Sequence, residues 1–176
     1  MTGNASAPIV LSPREITLHL LGLVLFLGLL GLWYWLSTGI RAVPTWIEML
    51  QDDDPSTRIV AAEQLGQVGP AAQAAIPRLL AQATRDGSQH ANTTAAAALK
   101  SIDLTAARQV MTHFIPRLLD QDAQQRRTAC AVLGSLGPVA KPAVPALLPL
   151  AHDSDELVRR NALMALSSIG IPSPPI

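Results

Sequence analysis

The chain has 176 residues, of which 49% are apolar and 15% charged, with 13 Lys and Arg against 13 Asp and Glu and no formal net charge. That balance excludes the basic footprint of a nucleic-acid binder, and the single cysteine, Cys130, excludes an intrachain disulfide or a cysteine metal cluster. Mean hydropathy is +0.28 and aromatics make up 3%, so Ala and Leu carry the apolar content, a mixture that suits helices packed through small side chains.

A short tail, residues 1–15, opens the chain. From Ile16 to Ile40 there is no Asp, Glu, Lys or Arg, and the core of this stretch runs Leu20-Leu21-Gly22-Leu23-Val24-Leu25-Phe26-Leu27. A helix of about 21 residues at roughly 1.5 Å each reaches about 31 Å, the thickness of a bilayer's hydrocarbon core. Trp33, Tyr34 and Trp35 stand at its far end, where amphipathic rings favour the interface. A single transmembrane helix is therefore expected over residues 16–38, anchoring the protein in a lipid bilayer. A cleaved leader would have a shorter apolar region and a better small-residue site than Ser37-Thr38-Gly39. Gly22, Gly28 and Gly31 do not make a GxxxG spacing. His19 lies about one turn inside the span; a neutral imidazole reaching the headgroups accounts for it, and ligation of a pigment or haem is the rival reading. Orientation is close to a tie, with Arg14 on one side and Arg41 and Arg58 on the other. The short tail ending in Arg14 resembles an uncleaved export signal, which tilts the expectation to a bacterial inner membrane with the remainder of the chain in the periplasm.

The rest of the chain repeats. Leu65, Leu99, Leu133 and Leu166 are separated by 34, 34 and 33 residues. Thirteen positions before each stands Asp52, Asp86, Asp120 or Asp153, and four before each stands Ala61, Ala95, Ala129 or Ala162. Three after each is aliphatic (Val68, Ile102, Leu136, Ile169), and seven before each is Arg58, Asn92, Arg126 or Arg159. Upstream of the Asp runs a second motif, Val43-Pro44, Ile76-Pro77, Ile115-Pro116 and Val144-Pro145. Each is followed by an apolar pair: Trp46-Ile47, Leu79-Leu80, Leu118-Leu119 or Leu147-Leu148.

Each unit reads as helix, turn, helix. Proline suits a first turn because it has no amide hydrogen to lose there, and the apolar pair marks the buried side of the first helix. The turn holds the Asp and, two residues on, Asp54, Ser88, Asp122 or Asp155, types that cap the next helix. Apolar positions at −4, 0 and +3 share one face of the second helix. Gly69, Gly137 and Gly170 then end it, with Asp103 in that place in the second unit. A lone hairpin cannot bury both apolar sides, so the units must stack. The units fall at about 42–69, 75–103, 104–137 and 143–170, and a Pro-rich tail, residues 171–176, closes the chain. The third unit departs from the pattern, because Pro116 stands only four residues before Asp120. Its first helix is expected to start near Thr105, with Pro116 inside it as a kink.

The stretch from Ala143 to Leu166, with Ala143-Val144-Pro145, Leu147-Leu148, Asp153, Asp155, Val158-Arg159-Arg160, Ala162 and Ala165-Leu166, resembles the HEAT-repeat family, in particular short bacterial forms related to the bilin lyases. The resemblance covers residues 42–170. It implies an all-α fold, a right-handed α-solenoid of about four hairpins behind the transmembrane helix, with second helices lining a concave, protein-binding side. It also implies that Asp52, Asp86, Asp120 and Asp153 with Arg58, Arg126 and Arg159 form a structural ladder between units, interrupted at Asn92.

Residues able to do chemistry are not arranged as in a catalyst. His19, His90, His113 and His152 include no i, i+4 pair. No glycine-rich loop precedes Lys-Ser or Lys-Thr, and there is no GxSxG turn. Asp52-Asp53-Asp54 lacks the alternation of a calcium loop. No catalytic, cofactor-binding or metal site is expected, and Cys130 reads as a small buried residue. Arg127 and Arg160 are the candidate partner contacts, taken as exposed neighbours of the ladder arginines. The expected function is that of a membrane-anchored interaction scaffold and not an enzyme, an accessory subunit of a larger respiratory or photosynthetic membrane complex. Its partners would be other proteins and the bilayer, with no nucleic acid. A bilin-lyase-like enzyme or chromophore-binding protein is the alternative.

Overall fold

The computed structural model describes residues 26–27, 41–84 and 87–171. The chain divides into two units, Met1–Gly39 and Ile40–Ile176. In the first, Phe26 and Leu27 are helical. The rest of the expected membrane segment, with Leu20, Trp33, Tyr34 and Trp35, lies outside the described residues, as do Asp86 and the tail beyond Ile171.

The described part of the second unit contains helices and no strand. They are α1 (residues 41–49), α2 (Pro55–Val68), α3 (Ile76–Thr84), α4 (Gln89–Ile102), α5 (Leu104–Phe114), α6 (Ala123–Leu136), α7 (Val144–Leu147) and α8 (Glu156–Ile169). Short 3₁₀ segments join them at Gly69–Ala75, Pro116–Leu119, Gly137–Ala143 and Leu148–His152. The four second helices, α2, α4, α6 and α8, lie side by side in chain order and form one layer, while α3, α5 and the segments around α7 form the other. Hairpins stack as the repeat requires.

The repeat columns form the core between the layers. Ala61, Ala95, Ala129 and Ala162 are fully buried, and so are Leu65, Leu99, Leu133 and Leu166. Each such leucine stabilises the stack by about 1.5–3 kcal/mol relative to an exposed one. Of the apolar pairs, the first members Leu79, Leu118 and Leu147 are fully buried. The second members divide: Ile47 and Leu80 pack, partly buried, against the core, whereas Leu119 is 80% and Leu148 40% exposed. Consecutive residues differ by about 100° around an α-helix and 120° around a 3₁₀ turn, so in the last two units the inner face accepts one of the two.

Helix ends follow the turn chemistry. Gly69 and Gly137 close α2 and α6 at φ +66° and +58°, backbone that a side chain would strain. Both are followed by proline and lead into a 3₁₀ connector. Asp103 replaces glycine after α4 with extended backbone at φ −154°, and its carboxylate accepts from the Thr105 amide to start α5 at once. The first helix of the third unit thus begins at Leu104. It ends at Phe114, and Pro116 opens a separate 3₁₀ turn, so it does not kink a continuous helix. A missing amide hydrogen is harmless at that first position.

One described stretch, Ala123–His152, is long and apolar enough to cross a membrane by composition. Gly137 breaks it into two layers of the stack, where Cys130, Leu133, Leu136 and Leu147 pack into the core.

Candidate protein-binding face

The turn between helices has one design in three units. The carboxylate Oδ1 of Asp52, Asp120 and Asp153 accepts the amide of the residue two positions on, at 2.8, 2.9 and 2.8 Å. That second residue caps the following helix. Asp54 accepts from the Ser56 amide, Asp122 from Gln124 and Asp155 from Val158. Such bonds satisfy amides that a helix N-terminus leaves without partners. They hold the Asp54 and Asp153 carboxyls below the usual range, Asp54 through the Ser56 amide and Asp153 first through Arg126. The acidic turn at 52–54 is therefore a capping device.

The ladder arginines close the same turns. Nη1 of Arg58 donates to the carbonyls of Asp52 and Asp53, Nη1 of Arg126 to those of Asp120 and Gln121, and Nη1 of Arg159 to those of Asp153 and Ser154. Arg126 also reaches into the next unit: its Nε and Nη2 donate to Oδ2 and Oδ1 of Asp153, both at 2.8 Å. This bidentate pair is largely buried, with side chains 13% and 8% exposed. Its two parallel bonds fix distance and rotation between the third and fourth units. Arg58 is buried, and its Nε has no partner among the described residues. Asp86, its expected counterpart, lies outside them. Asn92 is buried at the second unit's place in the column, and an amide there cannot make the charged fork.

Two close contacts went unread in the sequence. A Cβ on Gly66 would lie 3.1 Å from Ala98 Cα, and one on Gly134 would lie 3.1 Å from Ala165 Cα. These glycines stand one position after the reference leucine, and the alanines one before it in the next unit. Gly66 and Gly134 were visible as a column alternating with Lys100 and Ser167, with Ala98 and Ala165 in the column two positions earlier. The units therefore pack as two tight pairs, one and two, three and four. At the middle junction Lys100 takes the glycine's place, and its Nζ donates to the Ser135 carbonyl at 2.9 Å.

Beside the Gly134–Ala165 contact the second-helix layer opens into a groove of about 260 Å³. Gln89, Cys130, Ala131, Gly134, Ser135, Asn161, Met164, Ala165 and Ser168 line it, all from α4, α6 and α8. Close helix approach requires small residues here, and small residues leave the hollow. Met164, 62% exposed, forms its edge. Asn161 Nδ2 donates across the pair to the Arg127 carbonyl at 3.4 Å. Among the described residues, no carboxylate, imidazole, amine or guanidinium lines the groove. The Cys130 thiol is pushed up to about 12 by its burial, which leaves it protonated and unreactive at neutral pH.

Of the two candidate contact arginines, Arg160 is exposed. Arg127 differs from the expectation. It is half-buried, its Nη2 donates to Gln124 Oε1 at 2.6 Å, and its Nε is buried without a partner among the described residues.

Stacked helical hairpins joined by an Asp–Arg rung define a helical-repeat protein, a class built to present one continuous helix layer. The family model for HEAT repeats matches residues 43–117 and 111–175, and the chain belongs to the HEAT-repeat family. Among solved structures it is similar to an engineered protein at 20% identity and a TM-score of 0.46, covering 72% of this chain and 62% of that one. It is also similar to the complex of CpcE and CpcF of phycocyanin lyase from Nostoc sp. PCC7120, at 18% identity and a TM-score of 0.46, over 72% of this chain and 98% of that one. No curated protein matches the sequence.

Proposed function

We propose that this chain is a membrane-anchored protein-interaction scaffold, an accessory subunit of a larger respiratory or photosynthetic membrane complex, and not an enzyme. The observation that carries the reading is the groove on the second-helix layer. It is apolar at its floor, has neutral hydrogen-bonding groups from Ser135, Asn161 and Ser168, and among the described residues holds no acid–base pair. Such a surface suits a partner side chain and offers no route for proton transfer. Anchoring is supported by the uncharged run from Ile16 to Ile40. In this reading the anchor lies in a bacterial inner membrane with the repeats on the periplasmic side, which raises the partner's local concentration. The test is purification of the tagged chain from its own membranes beside a Met164→Glu variant. The same membrane subunits should accompany the unaltered chain and be depleted about ten-fold with the variant. Equal recovery would contradict the assignment of the face.

A bilin-lyase-like enzyme or chromophore-binding protein is the second reading, prompted by the fold likeness to the phycocyanin lyase pair. A bilin mixed with the purified chain would then change its absorbance. With the only cysteine buried and protonated, no covalent adduct is expected.

A further inference from the structure

Arg127 carries a half-filled fork. On its neighbour Arg126, the Nε and Nη2 edge is filled by a single carboxylate, that of Asp153, at 2.8 Å from each nitrogen. On Arg127 the same edge has Nη2 on Gln124 Oε1 at 2.6 Å, while Nε is buried and donates to nothing among the described residues. A buried donor without an acceptor is costly, and folded chains keep few of them. Gln124 is itself exposed, so the neutral acceptor on this edge is replaceable. The surrounding helices do not supply a better one. Neither α4 nor α6 contains an Asp or Glu, and Asp122 and Asp155 are committed to helix caps. Glu156 is the one acid of α8. Arg160, in the same column as Arg127 one unit on, is exposed and forms no ion pair with Glu156 one turn before it.

Arg127 also stands at the end of the groove. It lies one turn before Cys130 and Ala131 on α6, and its carbonyl accepts from Asn161 Nδ2 on the facing helix at 3.4 Å. From Arg127 to Gly134 is two turns, about 10 Å along the helix. We infer that the groove's partner is an acidic segment: an apolar side chain enters beside Met164, and a carboxylate about 10 Å away replaces Gln124 and fills the Arg127 fork. A carboxylate takes both nitrogens in parallel, which a single amide oxygen does not. Arg160 adds a second positive charge on the same side and steers the acid toward that end. This inference rests on the groove being the binding face and states the chemistry of what binds there.

The test is selection of random short peptides displayed on phage against the full chain in detergent. Enriched sequences should share an Asp or Glu at a fixed spacing from an apolar residue. One such peptide, carrying a fluorophore, then gives affinities by anisotropy. Arg127→Gln in the chain, or replacement of the peptide's acid by its amide, should each weaken binding about ten-fold, as expected for loss of a charge-assisted bidentate pair. Both changes together should weaken it no more than either alone, because they remove one shared contact. Arg127→Gln should leave the thermal unfolding profile in place, since the replaced side chain holds an unmet donor and closes no rung. Met164→Glu should abolish binding. Peptides enriched without an acidic position, or undiminished binding by the Arg127→Gln chain, would overturn the acidic partner and leave the groove assignment standing. Binding that Met164→Glu leaves intact, or recovery of no peptide at all, would overturn the groove assignment and this inference with it.

Discussion

Arg126 joins two functions that most side chains perform singly. It closes its own turn through two carbonyls and clamps the neighbouring unit through Asp153. Removing it strands a largely buried carboxylate, so Arg126→Ala should cost about 2–4 kcal/mol in urea unfolding. Arg126→Lys should fall between, because a lysine keeps the charge and loses the fork. The pH dependence has a definite sign. The Asp153 carboxyl is lower in the folded chain than its ordinary value of 3.8, chiefly through its bonds to Arg126. It therefore adds stability that is complete above about pH 5 and is lost as the pH falls through the lowered native value. Thermal melts between pH 7 and pH 3 should show this loss, and Asp153→Asn should flatten it. An unchanged profile in the variant would remove Asp153 from the account. The Asp and Arg columns were legible because they recur every 33 or 34 residues. Which rungs close was not, since Asn92 and Arg126 share a column and differ in what an amide or a guanidinium can grip.

At the scale of helices, close approach is set by Gly66 and Gly134. Alanine there gains about 1 kcal/mol of helix propensity. Its Cβ also presses 3.1 Å from a backbone Cα on the next helix, which moves only with that helix. Overpacking of this kind costs about 1–3 kcal/mol, so on balance Gly134→Ala should destabilise by up to about 2 kcal/mol. Gly87→Ala, where nothing lies within 4 Å, serves as the control and should stay within about 0.5 kcal/mol in the same denaturant titration. Stabilisation by Gly134→Ala would mean that α6 and α8 separate easily. The sequence showed the four second helices, their caps and the glycine ends of three of them, because each has a local cause. It did not show the 3₁₀ connectors, although Gly69-Pro70 and Gly137-Pro138 were a repeated signal for them. Nor did it show that Leu119 faces out, since an apolar pair does not say which member the layer will cover. The groove was hidden for a related reason: small residues such as Ala131 and Ser135 look like filler until a neighbouring helix stands beside them.

Across the whole array, the two tight pairs meet at a junction of different character, where Lys100 and the long α5 replace the glycine contact. Stacked repeats divide their stability between units and interfaces, so the weakest interface decides where the stack parts. Native-state hydrogen exchange should resolve two cooperative blocks, residues 55–102 and 104–169, opening at different free energies. A single block spanning both would show the middle junction to be as strong as the others.

On the function proposed above, α4, α6 and α8 together present the surface that another protein occupies. Its most direct test is site-specific photo-crosslinking in native membranes, with the probe placed at Ser168 on the groove or at Leu119 on the first-helix layer. Adducts with a distinct membrane-complex subunit are expected from position 168, and none with it from position 119. Equal adducts from both positions, or adducts from 119 alone, would contradict it.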